Sequence, residues 1–141
     1  MVEPGLILTP PKEGTVLDDG YLTASEVAQL KLSADWVLLS ACNTAAPDGT
    51  VGAEGLSGLA KAFFYAGARS LLVSNWYVES ESAVLITTEM LKSYAADDKL
   101  GKAEALRVSM QRLRSNPKFT HPLYWAPFTV VGEGGARLAM Q

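Results

Sequence analysis

The residue with the most evident chemical potential in this sequence is Cys42, the single cysteine among 141 residues. It stands in the segment WVLLSACNTA, where the apolar run Trp36–Leu39 gives way to polar residues and a long Gly-containing loop. A thiolate at the end of such a run can attack a carbonyl carbon if a neighbouring group lowers the pKa of the thiol. The alternative is a packing residue, because free cysteine is among the most buried residue types. Spacing alone leaves both interpretations open.

A cysteine nucleophile usually works with a histidine, and this chain has one, His121 in the segment THPLYWAPF. A histidine directly before proline is also typical of a turn. No neighbouring residue in the sequence is placed to orient its imidazole. The turn role is therefore the favoured interpretation of His121, and the base for Cys42 stays unassigned.

The elements that must position Cys42 follow from the pattern of apolar residues. The segment Gly5–Thr9 and the pair Tyr21 and Leu22 predict a hairpin. Thr23 followed by Glu26 is a capping box that predicts the start of a short helix. The continuous apolar run Trp36–Leu39 is typical of a strand buried on both faces of a parallel sheet.

Helices and strands alternate along the rest of the chain, which predicts an α/β domain with a mostly parallel sheet. A helix ending at Gly67 precedes a second buried strand, RSLLVSNW, and two helices then lead to a last strand at Phe128–Val131. After two helices the chain returns to the carboxyl end of the sheet, so the last strand should run antiparallel. The residues expected to face inward are Leu56, Leu59, Ala60, Phe63 and Phe64 in the first of these helices, Val84, Leu85, Thr88 and Leu91 in the second (about Glu81–Ala95), and Ala103, Leu106, Met110 and Leu113 in the third (about Lys102–Arg114).

Sites in open α/β sheets form outside the carboxyl ends of the strands. Cys42 follows one predicted core strand, and Asn75 and Trp76 follow the next. A single right-handed crossover would make these strands neighbours, about 5 Å apart. Cys42 and the NWYVESE loop are therefore expected at one rim.

Composition excludes several other classes of function. The net charge is -3 and no block of Lys and Arg suggests a nucleic-acid partner. No apolar stretch has membrane-spanning length, and the N-terminus lacks the basic region of a signal peptide, so we expect a cytoplasmic protein. No motif predicts a metal or cofactor, and no Gly-rich phosphate loop directly follows a strand.

Several consecutive blocks of the sequence resemble the CHAT domain, a relative of the caspase-like cysteine peptidases. They are LTASEVAQLKLSADWVLLSACNTA, GAEGLSGLAKAFFYAGARSLLVSNWYVESES, KAEALR and HPLYWAPFTVVGEGG. The resemblance implies a caspase-type three-layer α/β/α fold, with residues 1–22 as a hairpin or edge segment and residues 23–135 as the core. It also implies that Cys42 is the catalytic cysteine of an endopeptidase.

One part of the family pattern is missing. The histidine of the catalytic dyad lies in a His-Gly motif upstream of the cysteine, and this sequence contains no His-Gly. His121 matches a later block of the family pattern, whose role resembles a structural one, so the resemblance does not make His121 the histidine of the dyad. We therefore expect the C-terminal part of a CHAT domain, incomplete and inactive alone.

The resemblance also suggests residues that bind a protein or peptide substrate. Ser40 would line the pocket for the residue before the scissile bond, and four residues of the neighbouring strand end would form a second wall. These four are Asn75, Trp76, Val78 and Glu79. For the acidic residues of this loop, capping the next helix is an equally good interpretation.

A different class of function stays open, that of a non-catalytic interaction or assembly module. Its partner would be the missing N-terminal half or a second copy, docked through an exposed sheet edge beside Trp36–Ser40. A module of this kind should cover that edge with its own residues 5–22 or with a symmetric dimer, whereas an incomplete enzyme should leave it unpaired. Trp125 and Phe128 are expected in the core or an interface.

Overall fold

The N-terminal segment forms a small hairpin in this computed structural model, which describes residues 3–15, 19–40 and 58–136. Strands β1 (Gly5–Ile7) and β2 (Tyr21–Thr23) pair antiparallel, with Leu6 opposite Leu22. The hairpin predicted from the apolar pattern is therefore confirmed. Cys42 lies outside the described residues, as does the predicted inward-facing Leu56.

The capping box predicted at Thr23 starts helix α1 (Ala24–Gln29). Its hydroxyl accepts a hydrogen bond from the Glu26 amide at 3.2 Å, and the Glu26 carboxylate accepts one from the Thr23 amide at 2.8 Å. These reciprocal bonds satisfy two donors that a helix start otherwise leaves unpaired.

Helix α2 (Gly58–Tyr65) is followed by Gly67 as its C-terminal cap, as the sequence predicts. Gly67 has a positive φ of 103°, and its amide donates to the carbonyl of Phe64 while the next amide, of Ala68, donates to the carbonyl of Phe63. This pair of bonds is a Schellman motif, which turns the chain out of the helix. The turn leads directly into the central strand.

The main sheet has three strands, in the order β3 (Val37–Leu38), β4 (Ser70–Ser74) and β5 (Phe128–Gly132). Strand β3 runs parallel to β4, and β5 runs antiparallel to β4. The antiparallel last strand is thus confirmed. All five residues of β4 are buried, since this strand has a neighbour on each side and helices on each face.

Helices cover both faces of this sheet. Leu71 and Val73 face a core cluster formed with α1 and α2, whereas Leu72 faces a second cluster formed with helices α3 (Ser80–Ala96) and α4 (Lys102–Arg114). Two 3₁₀ turns, Pro117–Phe119 and Pro122–Tyr124, connect α4 to β5. Phe128 is buried, in agreement with its predicted core position. None of the helices in the described ranges is both long and apolar enough to cross a membrane.

The inward face predicted for α3 is wrong at three of its four residues, whereas the fourth, Leu85, is partly buried against the core cluster of α3 and α4. Val84 and Leu91 are 63% and 43% exposed, and Thr88 is exposed as well. The residues that do face the core are Ser82, Ile86 and Met90. Helix α3 is apolar on two opposite faces, so periodicity alone could not choose between them.

The inward face predicted for α4 is correct in part. Leu106 and Leu113 are buried and Met110 is partly buried, but Ala103 is exposed. Ala105 and Ser109, small residues that were not selected by hydrophobicity, are buried where α4 packs against its neighbours.

Candidate functional site at the carboxyl rim of the sheet

The carboxyl ends of β3 and β4 lie at the same edge of the sheet. Leu38 is level with Leu72, and the Leu39 amide continues the ladder by donating to the Leu72 carbonyl at 2.8 Å. The next residue, Ser40, is exposed. Cys42 follows Ser40 by two residues in the sequence and is outside the described ranges. The described part of the rim therefore consists of Ser40 and the loop after β4.

Asn75, the first residue of that loop, ties β4 to β5. Its backbone amide and its side-chain Nδ2 both donate to the carbonyl of Pro127 at 2.9 Å, and Nδ2 also lies 2.9 Å from the Thr129 hydroxyl. Both hydrogen bonds of the side-chain nitrogen of Asn75 therefore join the end of β4 to the beginning of β5. The predicted substrate contact of Asn75 stays a prediction beside this structural role.

The next three residues divide into an exposed pair and a buried anchor. Trp76 is 40% exposed and Tyr77 is 69% exposed, so both offer aromatic surface at the rim. Val78 is 4% exposed and packs in the core cluster of α3 and α4. Of the residues predicted as a substrate wall, Trp76 is thus accessible and Val78 serves the core.

Glu79 caps helix α3. Its carboxylate accepts hydrogen bonds from the amides of Glu81 at 3.0 Å and Ser82 at 2.8 Å. The bond from Ser82 and then that from Glu81 hold the pKa of the Glu79 carboxyl below its ordinary value. The capping interpretation is therefore confirmed for Glu79, and a role as substrate wall stays a prediction. Glu81 forms an ion pair with Lys118 on the surface.

His121 also has a structural role. Its Nδ1 accepts a hydrogen bond from the Leu123 amide at 3.1 Å and so caps the second 3₁₀ turn. This contact engages Nδ1 of His121 within its own turn. The turn interpretation of His121 agrees with this contact.

A polar cluster that the sequence did not indicate lies at the opposite, amino end of β3. Lys102, whose side chain is 5% exposed, donates to the Asp35 carbonyl at 2.9 Å and to Asp35 Oδ1 at 3.0 Å. Ser70 Oγ donates to the same carbonyl at 2.9 Å, and the Tyr94 hydroxyl lies 3.4 Å from Asp35 Oδ2. The Lys102 hydrogen bond is the main cause that lowers the pKa of Asp35. The cluster joins β3 to β4, α3 and α4.

Trp36 extends this cluster into the core. Its ring packs edge-on against Tyr94 with centroids 5.2 Å apart, and Lys102 Nζ lies 5.9 Å from the ring centroid. Lys102 and Asp35 are 67 residues apart, so no spacing pattern could have paired them. An isolated lysine at the first position of a helix is typical of a surface residue, and only the fold reveals its burial.

A cavity of about 450 Å³ lies away from the candidate rim. It is bounded by the start of α4 and by the segment after β5, with Lys99, Gly101, Arg107 and Gly134 among its lining residues. Ser70 of β4 pairs with Gly132, which places this segment beside the amino end of β4. Within the described ranges, no cluster of three or more His, Cys, Asp or Glu side chains could hold a metal ion.

Comparison with known proteins identifies the family. The family model of the CHAT domain matches residues 2–133, nearly the whole chain. The chain belongs to the CHAT-domain family. The blocks that suggested this resemblance lie in the matched region except for the last two residues of the final block, and Cys42 lies inside it.

Two relatives of this CHAT domain are tetratricopeptide repeat proteins. The chain is 35% identical over 115 residues to tetratricopeptide repeat protein 28 of Mus musculus, covering 79% of the chain, and 31% identical over 116 residues to the same-named protein of Homo sapiens, covering 82% of the chain. The matched region is 4% of the length of either relative. No solved structure matches the chain.

Proposed function

We propose that this CHAT domain is the cysteine-bearing part of a caspase-like cysteine endopeptidase, with Cys42 as the nucleophile and a protein or peptide as the substrate. The fold would then be the caspase-type three-layer arrangement, of which the described residues supply three strands and helices on both faces. The Cys42 thiolate would attack the scissile carbonyl carbon, and the amine would leave with a proton donated by the histidine of the dyad. Water would then hydrolyse the acyl-enzyme thioester, releasing the carboxylic acid and regenerating the thiolate.

The observation that carries the proposal is the open edge of β3. Among the described residues, β3 pairs with β4 alone, and the hairpin of β1 and β2 forms a separate two-stranded sheet. This is the arrangement expected if further strands of the enzyme pair with β3, and it differs from a module that covers this edge with its own N-terminal segment.

The base of the dyad would come from outside these 141 residues. His121 is the single histidine of the chain, and its Nδ1 accepts the Leu123 amide bond. A thiol without its base loses several orders of magnitude in rate, so we expect no peptide turnover by the chain alone. The exposed Ser40 and Trp76 would still contact the substrate on either side of Cys42.

The test is alkylation of Cys42 by a peptidyl chloromethyl ketone, compared with iodoacetamide. If Ser40 and Trp76 line a substrate groove, the labelling rate should saturate with the concentration of the peptidyl reagent and rise linearly with iodoacetamide. Ser40→Arg should weaken the apparent affinity for the peptidyl reagent about tenfold or more and leave the iodoacetamide rate nearly unchanged. Cys42→Ser controls for labelling elsewhere.

The same experiment separates this proposal from a non-catalytic interaction module. That second candidate is favoured by Asn75 and Glu79, whose side chains are engaged in internal hydrogen bonds at the rim. For a module we expect linear labelling by both reagents, at the rate of an ordinary thiol with a pKa of about 8.5. Linear labelling would overturn the peptidase proposal.

A further inference from the structure

Helix α3 has a second apolar face that no described residue covers. Val84 and Leu91 are 63% and 43% exposed, and Thr88 and Ala95 are exposed between and beyond them. The opposite face of the same helix is fully committed, since Ile86 and Met90 are 0% exposed in the core. We name the exposed row the α3 stripe; it consists of Val84, Thr88, Leu91 and Ala95.

The spacing of the α3 stripe is that of a helix–helix contact. Its members follow at intervals of four, three and four residues, the a and d positions of a heptad. They extend over about 17 Å of helix, with no charged residue among them. The central member, Thr88, is small enough to allow two helix axes to approach to about 8 Å.

The charges beside the stripe indicate what covers it. Glu81 near the start of α3 and Lys92 near its end flank the same edge of the stripe, about 20° and about 40° around the helix from Thr88. Both are exposed, in surface pairs with Lys118 and Glu89, respectively. If a two-fold axis relates two antiparallel copies of α3, this edge of one helix lies against the same edge of the other, running in the opposite direction. The acidic end of each helix then meets the basic end of its partner, and this happens twice in the dimer.

We propose that the α3 stripe is the contact surface for a second copy of this chain, with the two α3 helices antiparallel. A two-fold axis near Thr88 places Val84 against Leu91 of the second copy. It also places Lys92 within about 5 Å, along the helix axis, of Glu81 of the second copy. A parallel two-fold pair would place the two Glu81 residues at the same height on opposite sides of the contact, so Lys92 would not meet Glu81 of the second copy. The contact is independent of the proposed peptidase site and of the open β3 edge.

The contact is small, and its size sets the expected affinity. One helix pair of this length buries less than the roughly 1,000 Å² of a stable interface. Association should therefore be weak and fast, with a dissociation constant in the micromolar to millimolar range. Dimers should be detected by sedimentation equilibrium of the whole chain at concentrations from roughly 10 µM to roughly 1 mM.

The first variant is Leu91→Glu, which places a charge in the centre of the contact. Dimerisation should weaken at least tenfold, while Leu123→Glu, an equally exposed leucine on the second 3₁₀ turn, should leave it unchanged. Far-UV circular dichroism checks that both variants fold. The proposal would be overturned if the wild-type chain stays monomeric over the whole concentration range, or if the dimer tolerates Leu91→Glu. A monomeric wild-type chain would point to a different partner for the α3 stripe.

Two further variants test the antiparallel arrangement. Glu81→Lys and Lys92→Glu should each weaken the dimer severalfold, and the double variant should recover most of the affinity. In a Cys42→Ser background, Thr88→Cys should form an intermolecular disulfide under mild oxidation, whereas Tyr65→Cys on the exposed side of α2 should not. Additive losses in the double variant, or equal cross-linking at both positions, would rule out a two-fold axis at Thr88.

Discussion

Lys102 Nζ lies 2.9 Å from the carbonyl oxygen and 3.0 Å from the carboxylate of Asp35, at the residue where the chain is about to enter β3. The lysine begins α4, so this one side chain joins the first strand of the main sheet to the last long helix. Strand β3 has only two residues of regular pairing with β4. A strand this short depends on contacts at its ends for its position, and the Lys102 contact supplies one of them.

Replacing Lys102 by methionine keeps the packed methylene chain and removes the ammonium. We expect a loss of about 1.5–3 kcal/mol in the free energy of unfolding, the range for hydrogen bonds to a charged group. The loss should stay below that of a fully buried pair, because the Asp35 side chain is 58% exposed and can be hydrated by solvent. Urea unfolding measures it. Lys99→Met, an exposed control, should change stability by less than about 0.5 kcal/mol, and equal effects of the two variants would contradict the structural role of Lys102.

The same pair predicts a pH dependence in acid. The pKa of Asp35 is lowered from its ordinary 3.8, chiefly by the Lys102 hydrogen bond. The Asp35 carboxylate therefore contributes its full stabilisation at pH values above its pKa in the unfolded chain. This stabilisation is lost as the pH falls through the lower pKa of the folded protein, that is, below about pH 4. Urea unfolding between about pH 2 and 6 should be less steeply pH-dependent for Asp35→Asn than for wild type. In a Lys102→Met background Asp35→Asn should alter this slope much less, and an equal change in both backgrounds would assign the effect to another cause.

The energetic contribution of the Glu79 cap can be measured by the stability of the protein. The Glu79 carboxylate accepts hydrogen bonds from two backbone amides at the start of α3. Because Glu79→Ala removes this cap, it should lower the melting temperature by roughly 2–5 °C. Glu79→Ser, which keeps a capping oxygen, should retain most of the wild-type melting temperature. Calorimetry measures both, with Glu13→Ala in the N-terminal loop as the control. Equal melting temperatures for Glu79→Ala and wild type would leave the cap without energetic weight.

Among the glycines that the structure describes, Gly67 is the one whose replacement should cost most. At its φ of 103°, a Cβ would lie 2.2 Å from the carbonyl oxygen of Leu32, so backbone strain and a steric clash act together. Gly67→Ala should destabilise the protein by about 3 kcal/mol, or prevent folding. Gly135 is the matched control, because a Cβ there would meet no atom within 4 Å, and its alanine variant should unfold at nearly the wild-type urea concentration. A near-neutral Gly67→Ala would mean that the Schellman turn adapts.

Where local chemistry decides the structure, the sequence predicted it closely. Helix α4 begins and ends at Lys102 and Arg114 as its pattern indicated, because its apolar residues recur on one side and Asn116 and Pro117 follow it. The capping box at Thr23 and the positive φ of Gly67 are equally local. The antiparallel direction of β5 was predicted from two successive helices, which return the chain to the carboxyl end of the sheet.

Where two alternatives have equal local signals, the sequence could not choose. Helix α3 packs with Ser82, Ile86 and Met90 inside and Leu91 exposed. Ser82 can be buried there because its hydroxyl donates to the Glu79 carbonyl at 2.8 Å and is satisfied within the helix start. The Lys102–Asp35 contact depends on tertiary structure alone. At the rim, Ser40, Asn75 and Trp76 come after the ends of neighbouring strands as predicted, but only the contacts reveal that Asn75 joins strands.

Strand β4 lies between a parallel and an antiparallel neighbour and is buried at every position from Ser70 to Ser74. Its amide hydrogens can therefore reach deuterated solvent only when the surrounding helices and both neighbouring strands separate from it. In hydrogen exchange these amides should be the last to be replaced, at the rate set by global unfolding, whereas those of the hairpin and of the short β3 should exchange earlier through local opening. The protein would then have a persistent centre built around five residues, with the candidate rim at its more rapidly opening border.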